Sequence, residues 1–383
     1  MRFPEFTEPW ERKKLSNFTE RVTRKNKGQT NLPLTISAQY GLVDQISFYN
    51  NKVASADMSN YYLLKRGEFT YNKSYSRDYP LGAVKRLDLY DMGALSTLYI
   101  CFKIAGDINS DYLVHYFESP KWHRGVYEIA GEGARNHGLL NIAVGDYFET
   151  QHYLPCSLKE QEKIASMLNL IQRRIEVQNK LIEDLKQLRS ALVERLYCQH
   201  NPNFKIGDLV VQVSKRNRGD NDYSVLSVNN RLGFIEQSEQ FEDRLVASED
   251  TSNHKVVSRD DFAYNPARIN VGSIARLTSF ESGIVSPMYI CFHTKKQILP
   301  QYLEHFFDTR YFYYEMQKRL EGSVRLCLSW EGLCNIPIAV PPIERQEKVS
   351  KRISRLADKI SLEELHLDLL KSQKRYLLQT MFI

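Results

Sequence analysis

The feature that most constrains this chain is a long apolar seam that occurs twice. Leucine, isoleucine and valine recur at alternating spacings of three and four residues over 164–192, and again over 349–377. The two seams run in register at a constant offset (349 − 164 = 185). This spacing is typical of a coiled coil, so we predict helices over about Leu158–Cys198 and Ile343–Met381 that pack on each other. Neither helix contains glycine or proline.

Two polar residues interrupt each seam, and they do so at matching places. Gln178 corresponds to Glu363, and Arg189 corresponds to Lys374. Single polar residues in a seam can fix the register of a helix pair. The same residues could instead lie at the edge of the seam without effect, and the sequence leaves both readings open.

The duplication extends beyond the helices. Short segments recur in the same order in both halves, with offsets between 185 and 193: Val22–Gly28 and Val213–Gly219, Phe69–Asn72 and Phe262–Asn265, Gly82–Leu87 and Gly272–Leu277, Tyr99–Phe102 and Tyr289–Phe292, Gln161–Ile164 and Gln346–Val349. A repeat of this kind determines the architecture. We predict a domain at 1–155, a helix at 156–199, a second domain at 200–342 and a second helix at 343–383.

The two domains have the composition of mixed structure. Their segments are short, rich in Val, Ile, Tyr and Phe, and bounded by Gly, Asn, Asp and Pro, which favours strands and turns. Tyr112–Phe117 and Tyr302–Phe307 are predicted helical. The predicted fold class is therefore α+β, in two tandem repeats that each consist of a mixed domain and a long helix.

Connectivity predicts the direction of the helices. A helix of this length extends about 60 Å at about 1.5 Å per residue. Only His200–Asn203 separate the first helix from the second domain, so the second helix can pack on the first only by running back. We therefore predict an antiparallel coiled coil with a domain at each end. Two related domains at fixed spacing could bind a bipartite, asymmetric DNA site.

Several segments together resemble the specificity subunits of type I restriction–modification systems. They are Arg2–Phe6 with Trp10, Arg21–Asn26, Phe69–Ser76, Glu160–Ile164 and Pro341–Lys348. The resemblance covers the whole chain, including the order of domains and helices. Leu154–Ser157 departs from it, because a Pro-Pro pair is usual there.

The resemblance implies a function for each part. The domains would be target-recognition domains, each reading one half of a split site in double-stranded DNA. The helices would set the gap and dock two modification (methyltransferase) subunits, which would bring S-adenosylmethionine and methylate adenine. Restriction/translocase subunits would bring ATP and Mg. No cofactor is expected in this chain.

Candidate DNA contacts fall in three pairs of segments. They are basic loops, loops with a shared frame but different residues, and glycine-containing loops that end in arginine: Arg24, Lys25 and Lys27 with Lys215, Arg216 and Arg218; Lys73, Tyr75 and Arg77 with Arg268 and Asn270; Arg135 with Arg325. Lys and Arg neutralise phosphates, Arg pairs with guanine and Asn with adenine. Each segment could equally be an ordinary solvated turn.

Composition and motifs narrow the alternatives. The net charge of +6 is compatible with a polyanionic partner. The six cysteines form no CxxC pair, the nine histidines show no metal-ligand spacing, and neither a signal peptide nor an apolar run of membrane-spanning length is found. We therefore expect free thiols, no metal, no membrane association and a cytoplasmic location.

Gly-Lys never occurs, and no Asn-Pro-Pro-Tyr-type turn exists, so a nucleotide-driven motor or a methyltransferase is not expected. A non-catalytic coiled-coil adaptor between two proteins remains an alternative.

Overall fold

The protein is described by a computed structural model. It describes residues 1–37, 40–50, 54–55, 57–74, 79–130, 135–136, 139–197, 201–218, 223–230, 232–237, 251–322 and 325–383. These residues form two compact units: Met1–Gln178 with His366–Ile383, and Asn179–Leu365. Each unit contains one globular head, the near half of one long helix and the far half of the other.

The element order confirms the α+β fold class. The helices in chain order are α1 (Gln45–Tyr49), α2 (Ser110–Tyr116), α3 (His123–Ile129), α4 (Val144–Glu149), α5 (Leu158–Tyr197), α6 (Ile206–Leu209), α7 (Pro300–Phe307), α8 (Arg310–Gln317), α9 (Trp330–Cys334) and α10 (Ile343–Thr380). Strands of the first head are β1 (Glu11–Lys14), β2 (Thr19–Arg21), β3 (Leu34–Ser37), β4 (Gly41–Asp44), β5 (Tyr62–Lys65), β6 (Phe69–Asn72), β7 (Ala83–Arg86), β8 (Met92–Leu95), β9 (Ile100–Ile104), β10 (Arg135–Asn136), β11 (Leu139–Leu140) and β12 (Gln151–Leu154). Strands of the second head are β13 (Phe204–Lys205), β14 (Val210–Val213), β15 (Val225–Asn229), β16 (Gly233–Glu236), β17 (Lys255–Ser258), β18 (Phe262–Tyr264), β19 (Ile274–Arg276), β20 (Ser282–Val285), β21 (Ile290–Thr294) and β22 (Pro337–Ile338).

The two heads share one sheet topology. A four-stranded antiparallel sheet has the order β2-β9-β6-β7 in the first head and β14-β21-β18-β19 in the second. The register is also shared, because Phe69 faces Phe102 and Phe262 faces Phe292 across the central strands. The rings of each pair stack at 5.5 and 5.1 Å between centroids. The duplication predicted from the sequence therefore holds for the fold of the heads.

A second group of strands is also duplicated. In the second head β16-β15-β20-β17 form one sheet, with β15 and β20 parallel. In the first head β3 pairs with β4 and β5 with β8, and a parallel bridge between Pro33 and Ala94 joins the two pairs. Gly82 and Gly272, which precede β7 and β19, both have positive φ (78° and 88°). Glycine adopts this conformation without steric cost, which accounts for its presence at both positions.

The long helices pack on each other as an antiparallel pair. In the second unit Lys186 of α5 forms an ion pair with Glu364 of α10 at 2.6 Å. Seven residues later on α5, Val193 shares a core cluster with Ile353, which lies eleven residues earlier on α10. In the first unit Lys374 of α10 donates to Gln172 of α5 at 2.8 Å. The predicted antiparallel coiled coil is confirmed.

Most of the predicted seam is buried. On α5 and α10 the buried seam residues are Ile164, Leu168, Ile171, Ile175, Ile182, Val349, Ile353, Ile360, Leu367, Leu370 and Leu377. Leu185, Leu192 and Leu356 are half-buried. The polar Gln178 and Glu363 are also buried, at 7% and 8% exposure.

The thiols are free wherever the structure describes them. Cys101 and Cys291 occupy equivalent buried positions on β9 and β21, and burial raises the pKa of each to about 12. Their protons therefore stay in place at neutral pH, which fits thiols that only pack. None of the described helices combines the length and apolarity needed to cross a bilayer. The assignment of 1–155 and 200–342 as target-recognition domains stays a prediction.

Candidate nucleic-acid interface

The two basic loops are held in the same way in both heads. Asn26 and Asn217, at the centre of the loops, are 1% and 5% exposed. Their backbone N–H groups donate to Tyr61 O at 2.9 Å and His254 O at 2.8 Å, which are equivalent carbonyls just before β5 and β17. The Asn26 side chain also donates to Thr30 O and Met58 O and accepts from Thr30 N. A buried asparagine therefore fixes each loop, and the neighbouring basic residues are presented from a rigid support.

A basic side chain and an asparagine form a pair at the same place in both heads. Lys25 Nζ donates to the carbonyl of Asn60 at 2.9 Å and lies 4.7 Å from the centre of the Tyr62 ring. Arg216 Nη1 donates to the side-chain oxygen of Asn253 at 2.8 Å. Neither of these cations faces a carboxylate in these contacts, so each keeps its charge for an external anion.

Arg24 has a different environment. Its guanidinium donates to both oxygens of Glu68, at 3.0 and 2.8 Å, and to Leu63 O. Glu68 is 8% exposed and also accepts from Lys65 N, so the pair ties the loop to β5. The positive charge of Arg24 is largely compensated inside the head. Its predicted contact with DNA stays a prediction.

The other basic-loop residues are exposed. Lys27 lies in the left-handed region at φ 47°, and its N–H donates to Ser59 O at 3.0 Å. Lys215 and Arg218 are exposed in the second head. The carbonyl of Lys215 accepts from Val256 N at 2.8 Å. Among the described residues no carboxylate forms an ion pair with these three side chains, and their predicted contacts with DNA stay predictions.

The second head contains an open cleft of about 1100 Å³ beside its basic loop. Its polar lining is made of Ser227, Asn229, Asn230, Gln237, Asn253, His254, Asn265, Arg268, Ser273, Ser286, Tyr289 and Arg325. Among the described residues that line it, none carries a carboxylate. Asn253 belongs to this lining and also holds Arg216, so the loop and the cleft form one continuous surface.

Two predicted residues meet at this cleft. Arg268 and Arg325 both line it and both are exposed, although 57 positions separate them in the chain (325 − 268 = 57). Arg268 is held through its backbone, because its N–H donates to Asn265 O and its carbonyl accepts from Ser273 N. Asn270 lies in the adjoining 3-10 turn, is half-buried and is not among the lining residues.

The equivalent surface of the first head is only partly described. Lys73 is half-buried, its Nζ donates to Ile142 O at 3.3 Å, and its carbonyl accepts from Leu140 N. Tyr75 and Arg77 lie outside the described residues, and so does the side chain of Arg135, whose backbone pairs in β10. The predicted DNA contacts of this head therefore stay predictions.

Sequence reasoning missed most of the cleft. Asn229, Asn230, Gln237 and Asn253 stand at the ends of β15 and β16 and before β17. Amides at strand ends are also ordinary turn residues, so their spacing alone gave no signal. In this cleft they bring amide groups together, although the oxygens of Asn229 and Asn253 accept from Leu232 N and Arg216, and the Asn230 amide donates to Val271 O. Arg268 and Arg325 offer donors of the kind that pairs with guanine. The arrangement suits binding, and the described residues contain no group of His, Cys, Asp and Glu that could hold a metal ion.

The fold and surface define a class: an internally duplicated protein with two α+β heads on an antiparallel helix pair. No protein-family model and no curated protein matches the chain. Among solved structures, it is similar to a chain studied for complex assembly and conformational transition of the type I restriction–modification system, with 11% identity, 97% coverage of both chains and a TM-score of 0.58. It is also similar to the S subunit of the type I restriction–modification system of M. genitalium, with 14% identity, coverage of 100% of this chain and 97% of that one, and a TM-score of 0.57. The fold is thus that of type I specificity subunits, and the resemblance expected from the sequence is confirmed at the level of fold.

Proposed function

We propose that this chain is the specificity subunit of a type I restriction–modification enzyme, located in the cytoplasm. Each head reads one half of a bipartite, asymmetric target in double-stranded DNA. The observation that carries the proposal is the duplicated basic loop, in which Lys25 donates to the backbone carbonyl of Asn60 and Arg216 to the side-chain oxygen of Asn253, at equivalent positions of the two heads. Two heads that present cations in the same place fit two stretches of one phosphate backbone.

The second head supports sequence reading as well as phosphate binding. Its cleft combines Arg268 and Arg325 with several amides and, in the described lining, no carboxylate. Phosphate contacts position a protein on DNA, and contacts to base edges give specificity. We therefore assign positioning to the basic loop around Arg216, and base reading to the cleft.

The helix pair supports the docking of two modification subunits. Large apolar side chains remain exposed one position before seam residues: Leu170, Val177, Leu369 and Tyr376 in the first unit, and Leu181, Leu188 and Leu362 in the second. With the seam residues at positions a and d of the heptad, these residues occupy positions c and g. In an antiparallel pair the c and g positions of both helices lie on one side of the pair. Exposed apolar patches of this kind mark protein interfaces. One patch in each unit fits two copies of one partner.

Chemistry is assigned to the partners. The modification subunits would supply S-adenosylmethionine and methylate adenine, and restriction/translocase subunits would supply ATP-driven translocation and cleavage with Mg. This chain itself is proposed to be non-catalytic and to carry none of these cofactors.

The decisive experiment is a genome-wide map of adenine methylation in the source strain, with and without this gene. We expect one split, asymmetric motif to lose methylation when the gene is deleted. A variant with Arg268→Ala and Arg325→Ala should relax only the half of the motif read by the second head. A map that is unchanged by deletion, in cells where the modification subunits are expressed, contradicts the proposal.

The alternative of a protein–protein adaptor gives a different result in solution. Binding of the purified chain to duplex DNA should weaken steeply with salt, because each neutralised phosphate contributes to the slope. An adaptor would show no such binding while still capturing two protein partners through the helix pair.

A further inference from the structure

The basic residue that interrupts the seam of α10 contacts the first head. Lys374 Nζ lies 2.6 Å from Glu118 Oε2, and Glu118 follows α2. Lys85 on β7 lies 3.2 Å from the other oxygen of Glu118. All three side chains are largely buried, at 15% exposure for each lysine and 24% for the glutamate. Lys374 therefore connects the helix pair to the head, in addition to its donor contact with Gln172 of α5.

The second unit contains the same contact. Arg189, the counterpart of Lys374 in the seam of α5, forms an ion pair with Asp308. Asp308 follows α7 and stands at the position of Glu118 (118 + 190 = 308). In both units, then, a base on the far half of one repeat's helix holds an acid on the head of the other repeat. We call these two ion pairs the head latches.

An aromatic contact accompanies each latch. Phe382, just beyond α10, packs against Tyr112 and Tyr116 at 5.4 and 5.7 Å between ring centroids. Tyr197, at the equivalent position at the end of α5, packs against Tyr302 at 4.6 Å and donates to its carbonyl at 2.6 Å. Tyr112 and Tyr302 are themselves equivalent, so the whole contact is duplicated.

The long helix of the same repeat holds the start of α2 in the first head and of α7 in the second; we call α2 and α7 the head helices. Gln161 of α5 accepts from Asn109 N at 2.8 Å, where α2 begins. Gln346 of α10 accepts from Leu299 N at 2.8 Å, where α7 begins. Each head helix is thus held at its start by its own repeat and at its end by the other repeat. Such a two-ended grip fixes orientation, which one contact alone does not.

We propose that Lys374 and Arg189 are positioning residues that fix the orientation of each head on the helix pair and thereby restrict the gap between the half-sites. The inference rests on the proposed function of the chain. A lysine in an apolar seam lowers the stability of the helix pair relative to leucine. Polar seam residues are known to fix the register of a helix pair, so a geometric role accounts for this one. Burial alone would raise the pKa of Glu118, but His115, Lys85 and Lys374 together lower it, so the carboxylate keeps its charge at neutral pH.

The latch also sets a condition for exchanging heads between such subunits. An incoming first head must carry an acid at the position of Glu118, because the base that it meets comes from the second repeat. A head with a base there would face Lys374 with a like charge. The residue at position 118, outside the proposed DNA surface, thus contributes to the compatibility of exchanged heads, together with the aromatic contact of Phe382.

Charge reversal and charge exchange test the latch. Three variants are compared with the native chain in complex with its modification subunits: Glu118→Lys, Lys374→Glu and the double exchange. Lys371→Glu, an exposed position one turn earlier on the same helix, is the matched control. Lys374→Arg, which keeps the charge, is the conservative variant and covers the case in which a reversal fails to fold.

Two readouts separate positioning from folding. Methylation in cells is measured at targets with the native gap and with gaps one base pair longer or shorter. Spin labels on unnatural amino acids at Tyr127 and Lys371, both exposed and both in the first unit, report the distance distribution between head and helix pair. For the control, the second label is moved to Ser372, which is also exposed.

We expect each single reversal to lower methylation at the native gap by about tenfold or more, since charged hydrogen bonds contribute more than one decade in an equilibrium constant. Methylation at the altered gaps should rise, the half-site sequences should stay unchanged, and the distance distribution should broaden. The double exchange should give higher methylation at the native gap and a narrower distance distribution than either single reversal, although Lys85 then faces a like charge at position 118. Lys374→Arg and Lys371→Glu should leave both readouts native.

Two results overturn the latch. One is an unchanged gap preference and an unchanged distance distribution in both single reversals. The other is a double exchange that is no better than the single reversals in either readout. If the native chain directs no methylation at all, the proposed function fails, and the distance distributions still decide whether the ion pair orients the head.

Discussion

Replacement of the buried glutamine that opens the second long helix tests how the heads are attached. Gln346 is 0% exposed and makes three hydrogen bonds: it accepts from Leu299 N at 2.8 Å and donates to Gln297 O at 2.9 Å and Pro341 O at 2.8 Å. Gln346→Met keeps the length of the side chain and leaves these three groups without their partner. Because the packing volume is kept, the loss of hydrogen bonds is the main effect.

The expected magnitude follows from the number of bonds. At about 1 kcal/mol net for each hydrogen bond, Gln346→Met should lower the free energy of unfolding by about 3 kcal/mol. Gln161, its counterpart in the first unit, makes two such bonds, to Asn109 N and Pro155 O. Gln161→Met should therefore lower the free energy by about 2 kcal/mol. For units of this size the larger change corresponds to about 6 to 12 °C in Tm.

Calorimetry and hydrogen exchange measure the two variants. Calorimetry gives the change in Tm, and exchange of peptides that cover α2 and α7 shows which head helix has loosened. Gln373→Met, at an exposed position of α10, is the matched control and should stay within about 0.5 kcal/mol of the native chain. The reasoning is refuted if Gln346→Met loosens α2 and α7 equally, or if it is no more destabilising than the control.

Three further predictions concern DNA binding, pH and spacing. Arg268→Ala should weaken specific DNA binding by about 1 to 3 kcal/mol and relax one position of a half-site. Lys27→Ala should weaken binding to all sequences equally and lower the slope of log binding constant against log salt concentration by about one. Binding titrations against substituted duplexes separate these results. Burial lowers the pKa of His305 to about 4. Below pH about 6.5 this histidine is therefore protonated in the unfolded chain but still neutral in the folded chain. The free energy of unfolding should fall between pH 6.5 and 4 by up to about 1.4 kcal/mol per pH unit. His305→Phe should reduce this slope in denaturation curves, and an unchanged slope would exclude this histidine as a cause. Deletion of seven residues from each long helix should shorten the gap by about three base pairs, since each helix loses about 10 Å; a methylation motif with the native gap would show that the coiled coil does not set it.

Periodicity allowed the helices to be predicted well from the sequence. The helix predicted from about Leu158 to Cys198 is observed over Leu158–Tyr197, and the one predicted over Ile343–Met381 is observed over Ile343–Thr380. Both seams repeat over many turns, and long repeating patterns constrain a helix strongly. The equivalence of the heads was also predictable, because motifs such as Tyr99–Phe102 and Tyr289–Phe292 recur almost unchanged.

Contacts between distant segments were not predictable. Lys374 and Glu118 are 256 positions apart, so no local pattern connects them, and the sequence left open whether the polar seam residues had any role. The ion pair of Arg24 with Glu68 has the same explanation, since the basic run suggested an exposed cluster. The cleft of the second head is assembled from strand ends and turns whose residues are individually unremarkable in sequence. The need for glycine at positions 93 and 283 was equally hidden in the sequence. A Cβ at Gly93 would lie 2.4 Å from an atom of Leu34, and a Cβ at Gly283 would lie 2.4 Å from an atom of Leu226.

The pattern of likeness between the two heads separates attachment from recognition. Where a head meets the helices the two copies agree in chemistry: a glutamine at the start of the head helix, an acid at its end, and a base on the returning helix. The candidate recognition segments, by contrast, differ in sequence, as in Lys73–Arg77 against Pro266–Asn270. The agreeing contacts are tied to one geometry by partners on both the head and the helices, and the two glutamines are buried, whereas an outer-loop residue such as Arg268 is exposed and is held by its backbone. Changing such a side chain leaves the attachment of the head intact, so a protein built this way can change what it recognises without changing how its heads are held.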